Sequence, residues 1–325
     1  MDRMSEPLVF AAWSKDEDNR YQSTSGGIFS ELAKVVFDRH GVVAGAQYNN
    51  KLMVEHTIID NPNDLWRIRQ SKYISSNPGY VYREVKRKLN QGIIVCFCGS
   101  PCQIAGLYSF LGTEPSNLIT IDFICRGMNS PKALKSWLAE IENEEKNKVT
   151  RVWFKYKEGG WKSSPRRVRL DFEDGHCIIK EGENNLFMHG YLTSNLYIRP
   201  SCGNCKFKGI PRTSDITLAD YWGIEKELDD DKGTSLVLIN SDKGKKVFDE
   251  IKQNIEWHEK KYSSILAGNP MFSTSVTIPL NAHEFLSSLD TLSFSEAIKK
   301  YTKQNNTLYF RVKKTLKKIL MVKRK

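Results

Sequence analysis

The chain has 325 residues, 40% of them hydrophobic and 27% charged, with a formal net charge of +11 at pH 7. That length buries a substantial core in one large domain or two, and no apolar run approaches the ~18 residues of a membrane-spanning helix. The charge gives no support to a nucleic-acid-binding core: residues 295–325 carry eleven Lys or Arg against the single acid Glu296, so residues 1–294 are nearly neutral.

The opening MDRMSEPLVFAAWSKDED has too short an apolar stretch, and too many acids after it, for a secretory signal. Seven cysteines in such a chain point to a reducing cytoplasm, where grouped cysteines signal metal or redox chemistry more often than disulfides.

In chain order, LVFAAW, VVAGAQY (42–48), VEHTII (54–59), GIIVCFC (92–98) and LITIDFI (118–124) read as strands. Between them IFSELAKVVFDRHG repeats apolar residues at Ile28, Leu32, Val35 and Val36 and is ended by Gly41, so it reads as a helix. GYVYREVKRKLNQG and PCQIAGLYSFLG are the next helical segments. This alternation predicts an α/β (α+β) fold with a mixed, partly parallel sheet flanked by helices. Over 151–180 the pattern changes to strand pairs, with Asp174-Gly175 as a hairpin turn. DITLADYWGI (215–224) and TSLVLIN (234–240) read as strands, and DKGKKVFDEIKQNI (242–255) as one helix. The expected organisation is an N-terminal α/β region (1–125), a C-terminal region (126–267) and a basic helical tail (268–325).

The cysteines fall at telling places. In CFCGSPCQIAG, Ser100 suits an N-cap and Pro101 the first helical position, which puts Cys102 in the first turn. Free backbone N–H groups and the helix dipole favour a thiolate there. LITIDFICRG repeats the arrangement: a strand, then Cys125 in the following loop. If the two strands are parallel neighbours, both cysteines emerge at the carboxyl edge of the sheet, where open α/β folds build their sites. Cys202 and Cys205, a Cys-x-x-Cys in a Pro/Gly loop, supply two more ligands. Four cysteines suit tetrahedral zinc or a 4Fe-4S cluster, and one pair with two singletons favours iron–sulfur only mildly. Two other readings stay open: Cys102 and Cys125 as small buried hydrophobes, or Cys102 as a reactive thiol. A second constellation, STSGGIFSELA (23–33), sets Gly26-Gly27 at a helix start able to offer N–H groups to a phosphate, and RIRQSKY adds Arg67, Arg69 and Lys72.

STSGGIFSELA, RQSKY, GSPCQIAGL, IDFICRG, RPSCGNCKFKG and SDITLADYWGI, in this order over about residues 20–265, resemble the beta-subunit family of coenzyme F-420 hydrogenase/dehydrogenase. The resemblance implies an FAD-binding protein with a cubane cluster near the flavin, passing electrons between a reductant and a deazaflavin or other acceptor. It assigns Cys102, Cys125, Cys202 and Cys205 as cluster ligands and places Ser25, Gly26, Gly27, Ser71, Lys72, Gly99 and Ser100 near the flavin, with 1–125 as the flavin-binding region. It leaves the catalytic residues unknown. No cysteine precedes Cys96, so the chain is similar to short bacterial forms that lack the ferredoxin-like N-terminal domain and carry at most one cluster. Such forms resemble proteins encoded among surface-polysaccharide genes. The implied partners are an external electron donor such as a ferredoxin or reductase and a small-molecule acceptor; a non-catalytic, zinc- or cluster-stapled scaffold of a polysaccharide assembly pathway is the alternative.

Cys96 and Cys98 read as core, with Cys98 also a substitute ligand, and Cys177 as inert. His40, His56 and His189 lack ligand-spaced partners and read as surface or capping residues. Asp215 and Asp220 read as flavin contacts or exposed turns, and Trp153, Trp161 and Trp222 as core or ring-stacking groups. In the tail, LYFRVKKTLKKILMVKRK (308–325) sets Val312, Leu316, Ile319 and Leu320 on one helical face with lysines on the flanks. That pattern suits peripheral contact with an anionic inner membrane leaflet.

Overall fold

The computed structural model describes residues 3–302, so the basic helix expected over 308–325 lies outside the described residues. Eleven strands are found among them: β1 (Leu8–Ser14), β2 (Val42–Tyr48), β3 (Val54–Ile59), β4 (Val95–Cys98), β5 (Leu118–Phe123), β6 (Val149–Phe154), β7 (Val168–Phe172), β8 (Cys177–Lys180), β9 (Ile216–Asp220), β10 (Ser235–Ile239) and β11 (Ile255–Lys260). Eight form one mixed sheet in the order β11-β1-β10-β9-β5-β4-β2-β3. Its centre, β2, β4, β5 and β9, is parallel; β3 on one side and β10, β1 and β11 on the other run antiparallel to their neighbours. Strands from both sides of residue 125 therefore share this sheet. β6, β7 and β8 make a separate antiparallel sheet, with Asp174 and Gly175 at the turn of its second hairpin.

Helices α1 (Glu17–Gln22), α2 (Ile28–Asp38), α3 (Leu65–Ile68), α4 (Val81–Asn90), α5 (Pro101–Leu111), α6 (Pro131–Glu145), α7 (Leu186–His189) and α8 (Asp242–Ile251) surround these sheets. Ile28, Leu32 and Val36, four apart, put one buried stripe of α2 on the large sheet beside Val247, Phe248 and Ile251 of α8. The opposite face is covered by Val81, Val85 and Leu89 of α4 and Ile104, Leu107 and Leu111 of α5, over Val95, Phe97 and Leu118. Three layers result, as the alternating pattern requires. A third core joins the small sheet to α6 through Trp137, Phe154, Phe187, Tyr197 and Phe294; burying each such ring contributes roughly 2–3 kcal/mol.

Two sequence expectations change. The helix read over 242–255 ends at Ile251, and β11 begins at Ile255, whose buried side chain sits opposite Ser14 of β1. Of the strand pairs read over 151–180, the first strand stops at Phe154, and Lys155 after it adopts a left-handed φ of 57°.

Candidate functional site

The parallel centre decides where chemistry collects. Cys98 ends β4, Phe123 ends β5 and Asp220 ends β9, all at one carboxyl edge. Because Ser235 sits opposite Asp220 and Ala12 opposite Ser235, the loop leaving β1 arrives at the same edge. That loop is anchored from within: buried Glu31 accepts from Ser14 Oγ and Asn19 Nδ2, each at 2.6 Å, and Asn19 Nδ2 also donates to the Gly27 carbonyl. Gly26 lies so close to β1 and β10 that a Cβ there would stand 2.4 Å from the Ala12 carbonyl oxygen. Gly27, with φ of 87°, then starts α2.

Between these strand ends lies a cavity of about 580 Å³, within the range of cofactor and small-molecule sites. Ser25, Gly27, Ser71, Lys72, Gly99 and Cys125 line it. Of the residues the resemblance places near a flavin, Gly26 and Ser100 do not, and of the four motif cysteines Cys125 alone does. The Gly26 N–H donates to Ser235 Oγ at 3.0 Å, and Ser100 is buried in a capping box with Gln103. Their positions serve the backbone rather than the cavity wall.

The lining is mostly apolar with cations set into it. Lys72 donates to the carbonyls of Arg69 and Gln70, and burial pulls its ammonium down to about 7 against a smaller opposing effect of Cys98. Arg69 and Arg126 also line the cavity, and the Nε of each is buried without a protein partner. These are N–H donors that an anionic ligand would satisfy. Lys155 contacts Asp220 and lies 5.1 Å from the Trp222 ring, which stacks on Trp161 at 4.4 Å. Arg67 instead bonds Gln47 outside the cavity. Lys155, Arg126 and the Asp220 pairing escaped the sequence reading. The Arg-Gly after Cys125 was the one local signal.

Some polar residues depart from expectation. His56 is buried, not on the surface. Its ring stacks on Phe97 at 5.3 Å, its nitrogens meet Ser76 Oγ and the Cys98 carbonyl, and burial lowers its pKa to about 4. Asp215 is neither an exposed turn nor part of the cavity wall: fully buried, it accepts from Thr120 N, Thr120 Oγ1 and Ser241 Oγ. Asp220, by contrast, does line the cavity.

The four motif cysteines occupy one neighbourhood. Burial pushes the Cys125 thiol up to about 12; Lys208, which donates to the Cys125 carbonyl, opposes this, while Cys102, Cys202 and Cys205 each push it further. A Cβ on Gly127 would lie 3.4 Å from Cys202 Cβ, so Gly127 lets the Cys-x-x-Cys loop close on the segment after β5. Cys102 is exposed in the first turn of α5 with its Sγ 3.2 Å from Ser100 Oγ; Cys202 and Cys205 are half-buried. Among the described residues no three His, Cys, Asp or Glu side chains are grouped closely enough to hold a single metal ion. Tetrahedral zinc, with bonds of about 2.3 Å, needs its ligand sulfurs much closer together than a cluster with irons and sulfides set between them. Cys98 lines the cavity, Cys96 is core, and Cys177 is exposed on β8.

The fold and site are those of an open α/β protein with a large cavity, partly lined by cations, and a cysteine group at the carboxyl edge of its sheet. The family model for the N-terminal part of the beta subunit of coenzyme F420 hydrogenase/dehydrogenase matches residues 9–80, and the model for the C-terminal part matches residues 94–264. The chain belongs to this family of oxidoreductase subunits. Among solved structures it is similar to a chain of the F420-reducing NiFe hydrogenase complex from Methanosarcina barkeri, studied by xenon derivatization, with a TM-score of 0.55 and 16% identity over 92% of this chain and 91% of that one. No curated protein matches the chain significantly. No helix among the described residues is long and apolar enough to cross a membrane.

Proposed function

We propose that the protein is an iron–sulfur flavoprotein oxidoreductase that moves electrons, through FAD and one 4Fe-4S cluster, from a donor such as a ferredoxin or reductase to a small organic acceptor in surface-polysaccharide biosynthesis. The observation that carries this reading is the double position of Cys125. It lines the cavity and has Cys102, Cys202 and Cys205 as its electrostatic neighbours, so a cluster there would share a wall with the organic cofactor. Flavin and cluster supply the electron chemistry when bound.

The chain's own residues hold and orient. Arg69 and Lys72 offer positive charge for a diphosphate, beside the backbone of Ser25, Gly27, Ser71 and Gly99. The apolar walls suit a planar ring and exclude water. Trp222, held by its stack on Trp161, is a rigid aromatic face in that wall.

Anaerobic purification followed by a spectrum and flavin extraction tests the organic half of the reading. The expected result is yellow-brown protein releasing about one FAD per chain, with FAD lost on replacing both Arg69 and Lys72 by Met. A wild type that carries no flavin, and takes up none on titration with FAD, would refute it.

A further inference from the structure

The surface that presents Cys102 continues across α5 and α4 into a patch of aromatic rings and cations. We propose that this patch is the docking site of a small acidic electron-carrier protein of the ferredoxin type, an inference that rests on the electron-transfer reading above.

Cys102 is the exposed member of the motif cysteines. One helical turn further along α5, Gly106 leaves room for Tyr82 of α4; a Cβ there would come 3.3 Å from Tyr82 Oη. Tyr82 donates to the carbonyl of Gln103, the residue after Cys102, at 2.9 Å. Its ring lies 6.0 Å from Phe110, which is 42% exposed, and Lys86 Nζ stands 5.7 Å from that ring. At the start of α4, Tyr80, 74% exposed, lies 5.4 Å from the Arg83 guanidinium. The patch therefore runs from the turn of α5 that carries Cys102 through Tyr82 and Phe110 to Lys86, with Arg83 on α4 and Tyr80 at its N-cap.

Charge decides the occupant. Arg87 is paired with Glu84 at 2.8 Å, but among the described residues neither Arg83 nor Lys86 has a carboxylate partner. Two unneutralised cations held over exposed aromatic rings offer anchors of the kind that dominate protein interfaces, and positive charge at a rim speeds the encounter with an acidic partner. Redox encounters use small interfaces of this kind. Anionic lipid would also meet the cations. The exposed cysteine on the same surface favours a partner that delivers electrons.

The test uses full-length protein purified anaerobically with its chromophores, mixed in a stopped-flow instrument with a reduced bacterial two-cluster ferredoxin or with dithionite. Arg83→Glu/Lys86→Glu should lower the second-order rate of bleaching by ferredoxin at least about tenfold and flatten its salt dependence. Arg83→Gln/Lys86→Gln should lower it less, and dithionite should bleach all three proteins at similar rates. The proposal is overturned if the charge-reversed protein keeps the wild-type ferredoxin rate and salt slope, even where its binding to anionic vesicles falls. It is equally overturned if ferredoxin fails to reduce a wild type that dithionite bleaches. A wild type that dithionite does not bleach brings down the electron-transfer reading itself, and the docking surface with it.

Discussion

Arg212 ties the Cys-x-x-Cys loop to the strand that leads to Cys125. Its side chain is 3% exposed and its Nη2 lies 2.8 Å from Oδ2 of Asp122, which is fully buried on β5. The same guanidinium donates to the carbonyls of Phe207 and Phe123 and to Thr217 Oγ1. Arg212→Met removes the cation and leaves Asp122 with hydroxyl partners alone, Thr217 at 2.5 Å and Ser214. A buried carboxylate stripped of its counter-ion costs about 3–5 kcal/mol, which corresponds to a fall in Tm on the order of 10 °C. Because Phe207 lies two residues after Cys205, the loop should also loosen and iron content should drop. Asp122→Asn together with Arg212→Met removes both charges and should recover more than half of the lost stability. Urea unfolding of the three proteins, with iron assayed in parallel, measures both effects. A loss below about 1 kcal/mol in Arg212→Met, or a double variant no more stable than the single, would refute the reasoning.

Lys72 carries a pH dependence of definite sign. Its folded-state value is pulled to about 7 while the unfolded side chain stays near 10.5, so its contribution is complete above about pH 10.5 and is lost as the pH falls toward about 7. Lys72→Met should therefore flatten the rise in stability of cofactor-free protein between pH 7 and pH 9, a rise of at most about 1.4 kcal/mol per pH unit for one group; equal slopes in urea unfolding would contradict this. Gly26→Ala should destabilise the fold by about 1–3 kcal/mol, because the new Cβ meets backbone of β1 and β10; a Tm equal to wild type would show that the close approach is not fixed. For the basic segment 308–325, full-length protein should sediment with anionic vesicles and less as salt rises, whereas a version ending at Thr302 should not. The cut belongs there because Phe294, Ala297, Ile298 and Tyr301 are buried. Equal sedimentation of the two forms would remove the membrane role.

Much of the large sheet was legible because β2, β4 and β5 are short and apolar and adjoin helices with their own stop or start signals. Gly112 closes α5, and Ser100-Pro101 opens it. β11 was not legible: Ile255 continues the helical spacing of Val247, Phe248 and Ile251, and only pairing with β1 reveals it as a strand. The cysteines announced themselves by spacing and by their place after strands. The cations of the cavity did not. Lys155 and Asp220 are 65 residues apart and meet only because β6 and β9 bring their ends together. His56 alternates like an ordinary strand residue, and its burial against Phe97 depends on α4 and α5 covering that face of the sheet.

The central claim is that Cys102, Cys125, Cys202 and Cys205 hold a cluster beside the cavity, and metal content tests it most directly. Iron, zinc and acid-labile sulfide should be measured in anaerobically purified wild type and in the serine variants of these four residues and of Cys177. The account expects about four irons and four sulfides per chain in the wild type, less iron in each of the four variants, and an unchanged content in Cys177→Ser. One zinc per chain without sulfide, or full iron in all four variants, would contradict it.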